Sequence, residues 1–116
     1  MNLKILSLDL GTTTGWSTFN KTIRSGSVSF QPTRFESSGR RYFKFKQWLT
    51  EIKNKTSGFD VVYFEAVAGA HLGQIAAHTY GGFLAILQAW CEHHQIAYEG
   101  VAVGTIKRFI TGKGNA

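Results

Sequence analysis

The sequence is poor in residues that crosslink or interrupt a chain. It contains one cysteine, Cys91, and one proline, Pro32. A lone cysteine excludes an internal disulfide framework and a cysteine-based zinc cage, and it is typical of the reducing cytosol. No apolar run reaches the roughly 18 residues that a membrane span requires. The N-terminus runs directly into the acidic Asp9, so we expect a cytoplasmic protein without a signal peptide.

Acidic residues are also scarce. The chain has 7 Asp and Glu against 13 Lys and Arg, which gives a formal net charge of +6. This balance favours a polyanionic partner such as nucleic acid. Hydrophobic residues make up 43% of the 116 residues, which excludes intrinsic disorder and fits one packed domain.

The hydrophobic pattern predicts the element order βββ-α-β-α-β-α. Apolar and polar residues alternate in the first part of the chain, which predicts a three-stranded antiparallel meander. Apolar residues at helical spacing, from Phe35 to Ile52, predict a helix that ends near Lys55. The predicted strands are residues 5–10, 16–20, 23–30, 59–65 and 95–101, with a second helix over 71–94 and a short third helix from residue 103. This order predicts an α/β domain, with a mixed sheet and helices on both faces.

Two carboxylates lie inside otherwise apolar strands. Asp9 is near the end of the first strand, and Glu65 ends the fourth. A buried carboxylate costs several kcal/mol unless it is paired or binds a cation. If these strands are parallel neighbours, both carboxylates emerge at one sheet edge and form an oxygen site suited to Mg²⁺ or Mn²⁺. The alternative makes Asp9 a turn residue and Glu65 a surface strand end.

Other segments carry features of phosphate binding. The small residues after Asp9, including Thr12 and Thr13, are able to present backbone N–H groups to a phosphate, although a plain hairpin turn has the same composition. Residues 34–55 hold seven basic and two acidic side chains, which is also typical of a solvated helix face. After Glu99 the chain has three basic residues and no acid, so Lys107, Arg108 and Lys113 are candidate phosphate contacts.

The order of several motifs resembles a known family. The segments are Leu8-Asp9-Leu10-Gly11 with Thr14-Gly15-Trp16, then Val61 to Glu65, Gly81-Gly82, and Thr105-Ile106-Lys107-Arg108 through Gly112 to Ala116. Together they resemble the RuvC family of Holliday junction resolvases, and the phage and prophage members most closely. The resemblance implies the RNase H-like fold, with strand order 3-2-1-4-5 and strand 2 antiparallel.

The resemblance also implies a chemistry. The family hydrolyses phosphodiesters of branched DNA with two Mg²⁺ ions, which Mn²⁺ replaces, in DNA recombination and repair. Asp9 and Glu65 match two catalytic, metal-binding carboxylates of the family, and Lys107 matches a basic residue near the scissile phosphate. The second helix would form a homodimer interface.

The sequence departs from the family at its C-terminal end. The family completes its site with further acids on a last helix, and this sequence ends at Ala116 before such acids. We therefore expect residues 1–116 to be a single RNase H-like domain, truncated before the catalytic helix, with weak metal binding and poor cleavage.

Three alternatives remain open from the sequence. The chain is also compatible with a non-catalytic DNA-binding remnant of a resolvase. An actin-like ATPase fragment shares the first-strand turn, but such proteins need a second domain. An RNA-processing nuclease of the same fold would share the carboxylate chemistry.

Overall fold

The structure, a computed structural model, describes residues 3–67 and 73–102. Its core is a five-stranded sheet with the strand order β3-β2-β1-β4-β5. The elements are β1 (Ile5–Asp9), β2 (Thr13–Asn20), β3 (Thr22–Ser29), α1 (Arg40–Thr56), β4 (Val61–Glu65), α2 (Gln74–His94) and β5 (Ala97–Val101). The first three strands pair antiparallel, whereas β4 runs parallel to both β1 and β5. The predicted mixed sheet and strand order are confirmed.

One face of the sheet carries the hydrophobic core. Side chains alternate along a strand, so Leu6 and Leu8 share a face with their register partners Val62 and Phe64 on β4. All four side chains are buried. Each fully buried side chain of this size contributes about 1.5–3 kcal/mol of transfer free energy.

Both described helices contribute to that same core. Phe45 of α1 and Phe83 of α2 are fully buried, and their rings meet edge to face with centroids 5.1 Å apart. The predicted third helix, which begins near residue 103, lies outside the described residues. Among the described residues, no helix has the length and apolar character to cross a membrane.

Helix α1 starts later than the apolar spacing predicts. The pattern places Phe35 on the buried stripe, but the helix begins at Arg40 and Phe35 is 85% exposed. The segment before the helix forms a turn instead, in which the amide of Glu36 donates to the carbonyl of Thr33 over 3.0 Å. The prediction that the helical spacing begins at Phe35 was therefore wrong.

The ends of α1 and β2 follow local chemistry. Ser57, at the C-terminal end of α1, and the following Gly58 have positive φ angles of 67° and 91°, as expected for a helix cap. Strand β2 begins at Thr13 rather than Trp16, because Thr13 and Thr14 pair with Ser29 and Val28 of β3.

Candidate functional site

The two predicted carboxylates lie on neighbouring strands. Leu8 and Phe64 are partners in the parallel β1–β4 register, so Asp9 and Glu65 occupy the next position on each strand. Adjacent strands are about 4.8 Å apart, and both side chains point away from the face that Leu8 and Phe64 occupy. Glu65 is only 3% exposed, whereas Asp9 is partly exposed. The sheet therefore brings the two acids together at the carboxyl ends of β1 and β4.

Tyr80 of α2 fixes the end of β4. Its hydroxyl donates to the carbonyl of Glu65 over 2.7 Å and accepts the amide of Val67 over 3.3 Å. The next amide, that of Ala66, donates to the carbonyl of Val101 on β5 over 2.8 Å. These bonds fix the backbone of residues 65–67, which carries the Glu65 side chain. The sequence alone does not identify Tyr80 as a site residue, because its contacts join α2 to the end of β4.

The turn after Asp9 is closed by its own hydroxyl groups. The Thr14 hydroxyl donates to the carbonyl of Gly11 over 2.7 Å and accepts the Gly11 amide over 3.3 Å. Thr14 is fully buried. The segment forms the β1–β2 hairpin connection, and the Gly11 amide is engaged within it. The side chain of Thr13 is exposed at the start of β2.

Arg41 joins this turn to α1. Its Nη1 donates to the hydroxyl of Thr12 over 3.0 Å, and its Nε is buried without a hydrogen-bond partner. In the sequence, Arg41 is one of the basic residues of 34–55, and no site role is predicted for it. No local signal separates it from Arg40, because the contact joins residues 29 positions apart.

The segment before α1 carries a network of charges around Glu36. Lys44 Nζ lies 2.8 Å from one carboxylate oxygen of Glu36, and Arg40 Nε lies 3.4 Å from the other. The Lys44 hydrogen bond and the Thr33 amide, which also donates to this carboxylate, lower the pKa of Glu36 to about 2. Glu36 is therefore ionised throughout the physiological pH range, and it neutralises part of the surrounding positive charge.

The donor chemistry of the carboxylate pair fits a hard divalent cation. Asp9 and Glu65 together offer four carboxylate oxygens, the ligand type that Mg²⁺ and Mn²⁺ prefer. Within residues 3–67 and 73–102, no cluster of three or more metal-ligating side chains occurs. The described part of the chain thus places two carboxylates at the ends of adjacent strands.

The predicted DNA contacts separate into two groups. Thr12 and Thr13 lie at the carboxylate edge, Thr12 in the β1–β2 connection and Thr13 at the first position of β2. Lys107, Arg108 and Lys113 fall outside the described residues.

A cavity of about 460 Å³ lies at the opposite end of the sheet from the carboxylates. Its lining includes Phe19, Arg24 and Lys55, and it contains neither Asp9 nor Glu65. It is therefore separate from the candidate site.

Comparison with known proteins shows what architecture this is. No protein-family model matches the sequence, and no curated protein matches it. Among solved structures, Thermus thermophilus RuvC in complex with a Holliday junction substrate is similar, with a TM-score of 0.71 and 14% identity over 98% of this chain and 72% of that one. A second Thermus thermophilus RuvC structure has a TM-score of 0.69 at the same identity and coverage. The chain has the RNase H-like fold found in RuvC.

Proposed function

We propose that this protein is a metal-dependent, structure-selective DNA endonuclease that acts on branched DNA such as a four-way junction. The observation that carries the proposal is the pairing of Asp9 and Glu65 at the ends of adjacent parallel strands. The shared fold supports it, since the similar RuvC structure is a complex with a Holliday junction substrate.

Asp9 and Glu65 would hold the divalent cation. When bound, Mg²⁺ or Mn²⁺ supplies Lewis-acid stabilisation of the charge on the reacting phosphodiester. The low exposure of Glu65 and the Tyr80 bond to its carbonyl restrict the positions that its carboxylate occupies. A restrained carboxylate loses less conformational freedom when it binds a cation, which favours binding.

The basic and hydroxyl groups beside the carboxylates would bind the DNA backbone. Arg41 contacts Thr12, three residues after Asp9, and its guanidinium provides donors that suit phosphate oxygens. Thr13 presents an exposed hydroxyl at the same edge. Lys107, Arg108 and Lys113 remain proposed phosphate contacts.

A homodimer through α2 is part of the proposal, because two protomers related by a two-fold axis present two cleavage sites to a symmetric junction. Ile75 on α2 is 83% exposed, and Ala85 and Ala89 are exposed further along the helix. These exposed apolar side chains are groups that such an interface would bury. The closer likeness to phage and prophage members stays a prediction.

The alternative is a DNA-binding protein that does not cleave. It is favoured by the presence of two, rather than three or more, clustered metal-ligating side chains in the part of the chain that the structure describes. Both functions predict binding to branched DNA, and only the nuclease predicts metal-dependent nicking.

The test is Mg²⁺-dependent nicking of an end-labelled four-way junction, with linear duplex of the same sequence as the comparison. We expect the wild type to nick the junction slowly, in keeping with the weak metal binding expected of residues 1–116. Asp9→Asn and Glu65→Gln should each abolish nicking while the affinity for the junction changes little. The reason is that each substitution removes a negatively charged ligand from the cation but leaves the phosphate-binding surface intact.

Asp60→Asn is the matched control, because Asp60 is an exposed acid at the other end of the sheet, where it accepts the amide of Lys4. It should cut like the wild type. Cleavage retained by Asp9→Asn or Glu65→Gln would exclude the carboxylate pair as the metal site. Junction binding without nicking by the wild type would favour the non-catalytic alternative.

A further inference from the structure

The segment between β3 and α1 presents an aromatic side chain to solvent. Phe35 is 85% exposed, the highest exposure among the large hydrophobic side chains of the described residues. The guanidinium of Arg34 lies over its ring, 4.9 Å from the centroid. A single exposed apolar residue is common on protein surfaces. Phe35 differs from such a residue in two ways. The turn that carries it is held by hydrogen bonds, and its ring lies against a positively charged side chain.

Both ends of this segment are attached to the turn beside Asp9. The amide of Phe30, at the start of the segment, donates to the carbonyl of Thr12 over 2.7 Å. Arg41, just beyond its end, donates to the hydroxyl of the same threonine. Five residues of extended chain span at most about 18 Å, so Phe35 lies within that distance of Phe30. The segment that carries the exposed ring therefore begins and ends beside the carboxylate end of the sheet.

Hydrogen bonds and ion pairs fix the conformation of this segment. Thr33 and Glu36 exchange two hydrogen bonds, from the Thr33 amide to the Glu36 carboxylate over 2.8 Å and from the Glu36 amide to the Thr33 carbonyl over 3.0 Å. Lys44 and Arg40 of α1 hold the same carboxylate. Phe35 lies inside this closed turn, which limits the conformational freedom that its ring would lose on binding a partner.

The positive charge of this surface favours a nucleic acid as the partner. The segment and the first turns of α1 carry four basic residues, Arg34, Arg40, Arg41 and Lys44, against one acidic residue, Glu36. An exposed aromatic ring among cations is the combination that binds single-stranded nucleic acid, because the ring stacks on a base while the cations contact phosphates.

We propose that residues 33–41 form a second DNA-contacting surface, in which Phe35 stacks on an unpaired base of branched DNA while Arg34 and Arg41 bind adjacent phosphates. The proposal rests on the proposed nuclease function and extends it. It assigns recognition of unpaired bases to an element outside the carboxylate pair. A fully paired duplex offers no free base face to Phe35, so the surface discriminates branched from linear DNA.

The test compares the affinity of Phe35→Ala for a four-way junction, a duplex with a two-base bulge and a plain duplex, without divalent cation so that no strand is cut. Stacking on one base changes binding by roughly tenfold. We expect Phe35→Ala to bind the junction and the bulge about tenfold more weakly, and the plain duplex as the wild type does. Phe35→Trp should restore the affinity, since its ring also stacks.

Phe19→Ala is the matched control. Phe19 is 39% exposed and lies at the opposite end of the sheet, so its loss should leave all three affinities unchanged. Salt dependence separates stacking from charge: Phe35→Ala should keep the slope of log Kd against log salt, whereas Arg34→Ala should lower it by about one.

Equal affinity of Phe35→Ala and wild type for the junction would overturn this inference and leave the nuclease proposal intact. An equal loss on junction and plain duplex would also overturn it, because the base faces inside a plain duplex are already covered by the neighbouring base pairs. If the wild type binds no DNA at all, both the proposed function and this inference are excluded.

Discussion

At the scale of single residues, the two basic neighbours Arg40 and Arg41 have different roles. Arg40 pairs with Glu36, an exposed i,i+4 contact that contributes little to stability. Arg41 turns towards Thr12 and keeps a buried Nε without a hydrogen-bond partner. We expect Arg41→Ala to weaken binding to any DNA and to reduce the salt slope by about one. The measurement is fluorescence anisotropy of labelled duplex over a salt series.

Arg24→Ala is the control for that experiment, since Arg24 is exposed and lines the cavity at the other end of the sheet. It removes the same charge, so a general effect of net charge would appear equally in both variants. An unchanged slope in Arg41→Ala would show that this guanidinium does not contact phosphate.

Glu36 makes the stability of the fold depend on pH in the acidic range. Its carboxyl has a pKa of about 2, against an ordinary value of 4.5, because Lys44 and the Thr33 amide stabilise the ionised form. A lowered pKa in the folded state means that the contribution is complete above pH 4.5 and is lost as pH falls towards 2. We expect urea unfolding to show wild type more stable than Glu36→Gln at pH 7, with the gap narrowing from pH 4.5 to pH 2. A gap that stays constant over this range would contradict the shifted pKa.

At the scale of elements, the approach of α1 to α2 depends on a glycine. A Cβ at Gly82 would lie 2.5 Å from Cε1 of Tyr42, whereas a Cβ at Gly81 would meet nothing within 4 Å. Tyr42 packs edge to face on Phe83, with ring centroids 5.1 Å apart, which restricts its retreat. We expect Gly82→Ala to destabilise the fold by about 1–3 kcal/mol, the usual cost of overpacking.

Gly81→Ala provides the comparison within the same helical turn. Alanine is preferred over glycine inside a helix by about 1 kcal/mol, so this variant should be as stable as wild type or more stable. Thermal and urea unfolding of the two variants measure the difference directly. Similar stability of both would mean that Tyr42 moves aside without cost.

At the scale of the whole molecule, the proposed dimer depends on exposed apolar side chains of α2. Ile75 is 83% exposed on α2, and Ile23 is 58% exposed on β3. We expect Ile75→Asp to shift a dimer to monomer in sedimentation velocity, because a charge would be buried in the interface. Ile23→Asp introduces the same charge elsewhere and should leave the sedimentation coefficient unchanged. A wild type that sediments as a monomer at all concentrations would exclude the dimer.

Much of this molecule was predictable because burial imposes a period on the sequence. Alternation around Leu6 and Leu8 predicted β1, and the apolar run before Glu65 predicted β4, so the pattern of residues alone singled out both carboxylates. The position of Phe35 was predicted wrongly, since its spacing from Tyr42 continues the helical period although the Thr33–Glu36 turn interrupts the helix. Arg41 and Tyr80 were missed as site residues because their contacts join distant parts of the chain.

The parallel pairing of β1 with β4 has a consequence for the order of folding. The β1–β2–β3 meander forms from neighbours along the chain, but β4 must add to the free edge of β1, across contacts such as Lys4 to Asp60 that span 56 residues. Such long loops close more slowly than hairpins. Asp9 and Glu65 therefore meet only when the chain between them has closed into a loop that includes β2, β3 and α1. During synthesis, the β1–β2 hairpin would therefore form well before Asp9 and Glu65 come together.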